Sequence, residues 1–260
     1  SEQYNGSSWT EVADLNTGRR ILAQSGTYTA ALAFGGGPPN VAVTESFNGS
    51  GWSETADLNT ARAFLAGTGT QTASLAIGGP GTTDNTESWN GTSWTEVADL
   101  NTGRQLFGQG VGIQTSSLVA GGNPPVTTKT ETWNGSSWTE VADLNTGRGH
   151  LATSTDADNT TALAFGGEPG SGTIALTESW NGSSWTEQGD LATSRHYLTG
   201  CGTAALGLAV GGDPNLTTTE EFTKAGADIG AWATGATMNT ARNALAGAGN
   251  SPSAALAFAG

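Results

Sequence analysis

The chain has 260 residues, room for one or two domains of ordinary size, and 40 of them are glycine. With 35% hydrophobic residues it can build a core, but 23 acidic against 9 basic residues leave a formal charge of -14 and a pI near 4.2. That balance argues against nucleic acid as the main partner, since phosphate binding needs a basic stripe, and against anionic membranes. No apolar run approaches the length of a spanning helix; the longest are pieces such as AALAF at 30–34. The first residues, SEQYNGSSWT, lack the charged and apolar regions of a targeting peptide, so any leader is expected to be absent or removed. Opening on Ser1, the chain reads as a cut or processed piece.

Taken in chain order, residues 1–18 supply two short segments, SEQYNG and SSWTEV, followed by a link ending at Arg19. The same passage, YNGSSWTEVADLNTGR at 4–19, returns at 47–62, 89–104, 133–148 and 180–195, with a degraded copy from Phe222 to Arg242. The repeat arginines are Arg19, Arg62, Arg104, Arg148, Arg195 and Arg242. After each of the first five comes an apolar run closed by a diglycine, and the chain ends on Ala259-Gly260. Within a unit the hydrophobic period is two, with turn signals between segments, which predicts four antiparallel strands. From Arg62 these are RAFLAGTG, TASLAIGG, TTDNTESW and SWTEVADL, and the Asn-Gly between the last two is a tight-hairpin signal.

A sheet of some 43 residues cannot bury both faces alone, so its neighbours must cover it. The start of the chain supplies third and fourth strands, and its end supplies first and second strands. Those halves complement one another. The predicted fold is therefore all-β: a six-bladed β-propeller of four-stranded antiparallel blades, closed by N-terminal strands pairing with C-terminal ones. The blades run over about 19–61, 62–103, 104–147, 148–194, 195–241, and 242–260 plus 1–18, as one domain over 1–260.

The sequence LNTAR or MNTAR, a strand, an apolar strand ending in Gly-Gly, and an aromatic and a tryptophan flanking a tight turn resembles kelch repeats across the whole chain. Here only four residues separate Trp89 from Trp94, fewer than kelch units usually have. The near-identical tandem units are also similar to kelch-like proteins predicted among virion proteins of marine bacteriophages. This second likeness implies a virion or extracellular setting and carries no functional residue across.

The arginines recur in phase with Glu2, Glu45, Glu87, Glu131, Glu178 and Glu220. Equal numbers at equal phases predict pairing, each guanidinium making a bidentate bond to a carboxylate or to main-chain carbonyls in its own or a neighbouring blade, with a ring of anion sites as the alternative reading. Asp14, Asp57, Asp99, Asp143 and Asp190 read as turn or cap residues. The Asn-Gly-Ser/Thr triplets at Asn5, Asn48, Asn90, Asn134 and Asn181 match glycosylation acceptors formally, but hairpin geometry explains them. Trp9, Trp52, Trp94, Trp138, Trp185 and Trp232 read as packing between blades. Tyr4, Phe47, Trp89, Trp133, Trp180 and Phe222, lying near Arg and Glu, resemble the sugar pockets of six-bladed fucose lectins, which implies a carbohydrate-binding alternative.

No nucleophile, base and orienting group converge, so the chain reads as non-enzymatic, with no catalytic residue, cofactor or metal expected. Asp156, Asp158 and Asn159 offer oxygen ligands for Ca²⁺ but lack the spacing of an EF-hand, and a polar turn is the preferred reading. His150 and His196 have no third ligand type repeated nearby. Kelch copper oxidases need a tyrosine-cysteine pair with histidine ligands, a constellation not found around the single Cys201, which matches Thr68 in its repeat and reads as a small buried side chain.

The segments that vary most between units follow the diglycines, at 37–43, 80–86, 123–130, 168–176 and 213–219. In an up-and-down blade they share a face with the LNTGR links, opposite the Asn-Gly hairpins. Variable loops on a rigid scaffold are where binding resides. The expected contact surface is this loop face, with Asn40, Asp84, Asn85, Lys129, Glu168, Asp213 and Asn215, and the expected partner is another protein, such as a virion or surface protein, with glycans as the alternative. The longer hairpin FTKAGADIGAW at 222–232 breaks the rotational symmetry and offers a single docking point.

Overall fold

A computed structural model describes residues 1–259 apart from Phe107, Ala157, Ala225, Ala227, Asp228 and Pro252. Six antiparallel sheets stand around an axis, and among the described residues there is no helix. One complete sheet comprises Ala23–Thr27, Ala30–Phe34, Thr44–Phe47 and Trp52–Glu54 in spatial order. The next repeats it with Ala66–Gly69, Ser74–Ile77, Thr86–Trp89 and Trp94–Glu96. The chain forms a six-bladed β-propeller in which each blade's first strand lies innermost.

Ring closure follows the predicted pairing. Glu2–Tyr4 runs antiparallel to Ala254–Phe258, with Glu2 opposite Ala257 and Tyr4 opposite Ala255, so the two ends of the chain share the sixth blade. Each gap between blades holds one apolar cluster, which is why a single blade would be unstable alone. Trp94 of the second blade packs on Phe34 of the first with ring centroids 4.9 Å apart, and Trp52 of the first packs on Phe258 of the sixth at the same distance. Burying such side chains contributes about 1.5–3 kcal/mol each, and here it accrues only when two blades meet.

The Asn-Gly hairpins form as their sequence predicts. Gly135 has φ +95°, a left-handed conformation that side chains other than glycine's resist. The Oδ1 of Asn134 accepts the main-chain N–H groups of Ser136 and Ser137, both at 3.0 Å, so the side chain satisfies the turn it initiates. The glycosylation triplets are thereby accounted for by the turn.

The third blade departs from the regular pattern. Six residues separate Arg62 from the hairpin glycine Gly69, but seven separate Arg104 from Gly112. The extra residue splits the first strand, and Gly108–Gln109 pairs in parallel with Ala66 and Gly67 of the preceding blade, giving that sheet a fifth strand. The end of the chain at Gly260, and Ala225, Ala227 and Asp228 of the symmetry-breaking hairpin, lie outside the described residues.

Candidate functional site

Every repeat arginine meets the glutamate of its own unit. Arg62 Nη1 lies 2.6 Å from Glu87 Oε1, Arg104 Nη1 2.6 Å from Glu131 Oε1, Arg148 Nη2 3.1 Å from Glu178 Oε1 and Arg195 Nη2 2.5 Å from Glu220 Oε1. Arg19 pairs with Glu45, and Arg242 approaches Glu2 more loosely at 3.6 Å. The fork is shared rather than bidentate on the carboxylate: Arg104 donates Nε–H to Gly121 O at 2.8 Å and a further Nη1–H to Thr102 O. Burial pulls the guanidinium groups of Arg62, Arg148 and Arg195 below their ordinary value, and the neighbouring glutamates oppose that pull.

The glutamates do more than neutralise. Glu131 Oε2 accepts the main-chain N–H of Asn101 at 2.8 Å and its side-chain Nδ2–H at 2.9 Å, and Asn101 Nδ2 also donates to Trp138 O. One carboxylate therefore fastens the incoming LNT link, the arginine and, through asparagine, the outer strand. The aspartates act alongside: Asp57 and Asp99 accept the N–H groups of Thr44 and Thr86 at the start of the third strand. These recurring polar residues serve the fold, and none presents a free charge for an anion.

The extra aromatics also turn inward. Tyr4, Phe47, Trp89, Trp133, Trp180 and Phe222 are all buried. Indole N–H groups of Trp89, Trp133 and Trp180 donate to the carbonyls of Gln71, Gln114 and Asn159. No open ring face is left at these positions for a sugar to stack upon.

The seven loop residues occupy different situations on one face. Asn40, Asp84 and Asn215 are exposed, whereas Asn85, Lys129, Glu168 and Asp213 are half-buried. Lys129 donates to Glu140 Oε2 at 2.7 Å on the rim. Glu168 and Asp213 are pinned to the first strands, because their main chains bridge to Gly149 and His196 respectively. Asp213 also accepts from Asn243 Nδ2 at 3.2 Å.

Those last two loops frame a cluster that the repeat pattern did not single out. His150 and Tyr197, at the same repeat position in the fourth and fifth blades, have ring centroids 4.3 Å apart, with His196 4.5 Å from Tyr197. His150 Nδ1 lies 3.3 Å from Glu168 Oε2. Burial lowers the His150 value, with Glu168 opposing, while burial and then the charges of Glu168 and Asp213 raise that of Tyr197. The shared position two residues after the arginine was the available signal, and both residues have positive φ, 53° and 54°.

The remaining singled-out residues are internally engaged. Asp156 accepts from Ala204 N–H at 3.0 Å and from the Ser154 and Thr161 hydroxyls, Asp158 accepts from Thr160, and Asn159 Nδ2 donates to Trp133 O. Among the described residues no group of three His, Cys, Asp or Glu side chains is placed to hold a metal. Cys201 is buried in the gap between the fifth and sixth blades, and burial pushes its thiol up to about 12. The chain matches no protein-family model and no curated protein.

Proposed function

We propose that this protein is a non-enzymatic interaction module, a kelch-type propeller that engages a protein partner with its loop face in a virion or other extracellular surface. Propellers commonly serve as interaction scaffolds, and a rigid ring bearing variable loops suits that role. One observation carries the reading: the recurring arginines, their glutamate partners and the hairpin aromatics are consumed inside the fold, which leaves the loops after the diglycines as the segments that differ from blade to blade. Removing the six paired arginines and six paired glutamates from the tally leaves 17 acids and three bases. The partner surface that fits is basic, since complementary charge both steers and selects. The non-enzymatic reading is supported by a buried thiol held protonated, which is a poor nucleophile.

Carboxylate-directed cross-linking of the protein in its native assembly, read by mass spectrometry, tests this. Cross-links at Asp84, Glu168 and Asp213, weakened by rising salt and by neutralising Asp84 with Asn, support it. Cross-links confined to the Asn-Gly hairpin face overturn it.

A further inference from the structure

The innermost strands contain an irregularity that mutual burial does not explain. Five residues after the arginine, the second, fifth and sixth blades carry Gly67, Gly200 and Gly247, and the bulged third blade brings Gly110 against Gly67. Glycine is needed there because adjacent inner strands abut: a methyl group on Gly67 would fall on the carbonyl of Gln24, and one on Gly200 on the carbonyl of Thr153. The first and fourth blades, opposite one another across the ring, instead place Gln24 and Thr153 at this level.

Both side chains are buried, Gln24 to 2% exposure and Thr153 to 3%. Neither Nε2 nor Oε1 of Gln24, nor Oγ1 of Thr153, has a hydrogen-bond partner among the described residues. Buried polar groups in native proteins are overwhelmingly satisfied, so a carboxamide with both ends open points to something that completes it.

Gln24 lines a cavity of about 340 Å³ on the propeller axis. Its lining also includes Gly69 and Gly112, and Thr68, Thr203 and Asp156. The cavity opens on the Asn-Gly hairpin face, where Thr70 and Ile113 are exposed. Towards the loop face, main-chain bonds tie the strands together: Phe64 N–H donates to Ile21 O, Leu106 to Phe64, Tyr197 to His150, Ala244 to Tyr197, and Ile21 to Ala244. The volume falls at the small end of ligand sites, about 300–1,000 Å³.

The lining defines the ligand's chemistry. A carboxamide that must both donate and accept is completed by a hydroxyl, which does both. Among the described residues the Ser154 hydroxyl is the side-chain donor to Asp156 Oδ2, and a carboxylate oxygen can take another hydroxyl. Asp156 is also the sole ionisable group among the described lining residues, so a phosphate or carboxylate ligand would meet a like charge with no cation among those residues to offset it. Glycine main chain, the Ala248 methyl and Ile113 supply apolar contact for C–H groups.

We propose that the axial cavity binds a small uncharged polyol, from glycerol to a monosaccharide in size, with Gln24 reading a hydroxyl at the deep end and Asp156 accepting another nearer the mouth. This site is separate from the loop face and does not depend on it.

The test titrates glycerol, xylitol and glucose into the intact protein, with binding read by ligand-observed NMR and calorimetry. Melting temperature is unsuitable as the readout, because polyols stabilise folded proteins generally by exclusion from their surface. The expected result is saturable binding at one site per chain, with a dissociation constant of about 1 mM for the best probe. Gln24→Leu is expected to weaken that binding about tenfold, as loss of one well-placed hydrogen bond does. Gln24→Gly, which installs the residue other blades carry there, gives the same comparison if the leucine variant fails to fold. Absence of saturable binding for all three probes overturns the proposal. So does equal affinity in Gln24→Gly, or tighter binding of methylammonium than of any polyol.

Discussion

Arg104 and Glu131 form a buried ion pair 2.6 Å apart, and the same carboxylate receives the main-chain N–H of Asn101 from the link that enters the blade. The pair is thus a joint between three segments. Replacing Arg104 by Met removes the paired cation from a carboxylate that remains buried, which typically costs about 3–5 kcal/mol. In a chain of this size the melting temperature should fall by roughly 2–4 °C for each kcal/mol. Adding Glu131→Gln should recover only part of the loss, since the amide replaces one of the acceptor oxygens that hold the link. An unchanged melting temperature in the single variant would remove the arginine from any structural role.

The tryptophans of the outer strands join neighbouring blades by a hydrogen bond as well as by packing. Trp138 Nε1–H donates to Thr86 Oγ1 at 3.2 Å, and Trp94, Trp185 and Trp232 repeat the contact with Thr44, Thr130 and Thr177. Thr86→Val keeps the shape and deletes the acceptor, leaving a buried indole N–H unpaired. Denaturant titration should show a loss of about 1–3 kcal/mol. Thr139→Val, at an exposed position of the outer strand, should change stability by less than about 0.5 kcal/mol. Equal losses in the two variants would show that the bond between blades contributes nothing.

Much of this was legible because it repeats. Six arginines in phase with six glutamates announce pairing, and Asn134-Gly135 announces a hairpin, since each depends on residue type at a fixed spacing. What depends on the ring was hidden. Ile21, Phe64, His150, Tyr197 and Ala244 share one repeat position and all have φ between 52° and 58°, a strained setting for residues other than glycine. Main-chain bonds from blade to blade accompany that conformation, and residues as different as Ile21, His150 and Ala244 give no local sign of it. The meeting of His150, Tyr197 and Glu168 was invisible for the same reason. The extra residue in the third blade could be counted in the sequence, but its consequence, a parallel pairing with another sheet, could not.

Two buried groups with raised values make the stability of the fold depend on alkaline pH. Burial raises the Cys201 thiol from 9.0 to about 12, and burial followed by the bond to Glu221 raises the Tyr4 hydroxyl from 10.0 to about 12. The folded chain then keeps protons that the unfolded chain releases. Their stabilising contribution is complete below pH 9.0, falls for the cysteine from there and for the tyrosine from pH 10.0, and is lost as pH passes about 12. Each group should add a slope of about 1.4 kcal/mol per pH unit within its window. Cys201→Thr, which copies Thr68 of the second blade, should abolish the slope between pH 9.0 and 10.0. A native protein whose thiol reacts promptly with a thiol reagent at neutral pH would contradict this picture.

Two glycine substitutions separate close approach from mere glycine content. Gly67 lacks a left-handed φ, yet a methyl group there would strike the Gln24 carbonyl and lie 2.8 Å from Phe34 Cζ. The obstacles are main chain and a ring fixed by Trp94, so the blades must part to accommodate it. Gly67→Ala should therefore cost about 3 kcal/mol, the upper end of the range for overpacking. Gly18 is exposed, has nothing within 4 Å of the added methyl, and corresponds to Ala61 in the following unit. Gly18→Ala should be neutral or stabilise by about 0.4–1 kcal/mol, because it restricts the unfolded chain without straining the folded one. Thermal unfolding of the two variants side by side decides the matter, and similar melting temperatures would mean that the inner strands are not in the contact that positions Gln24.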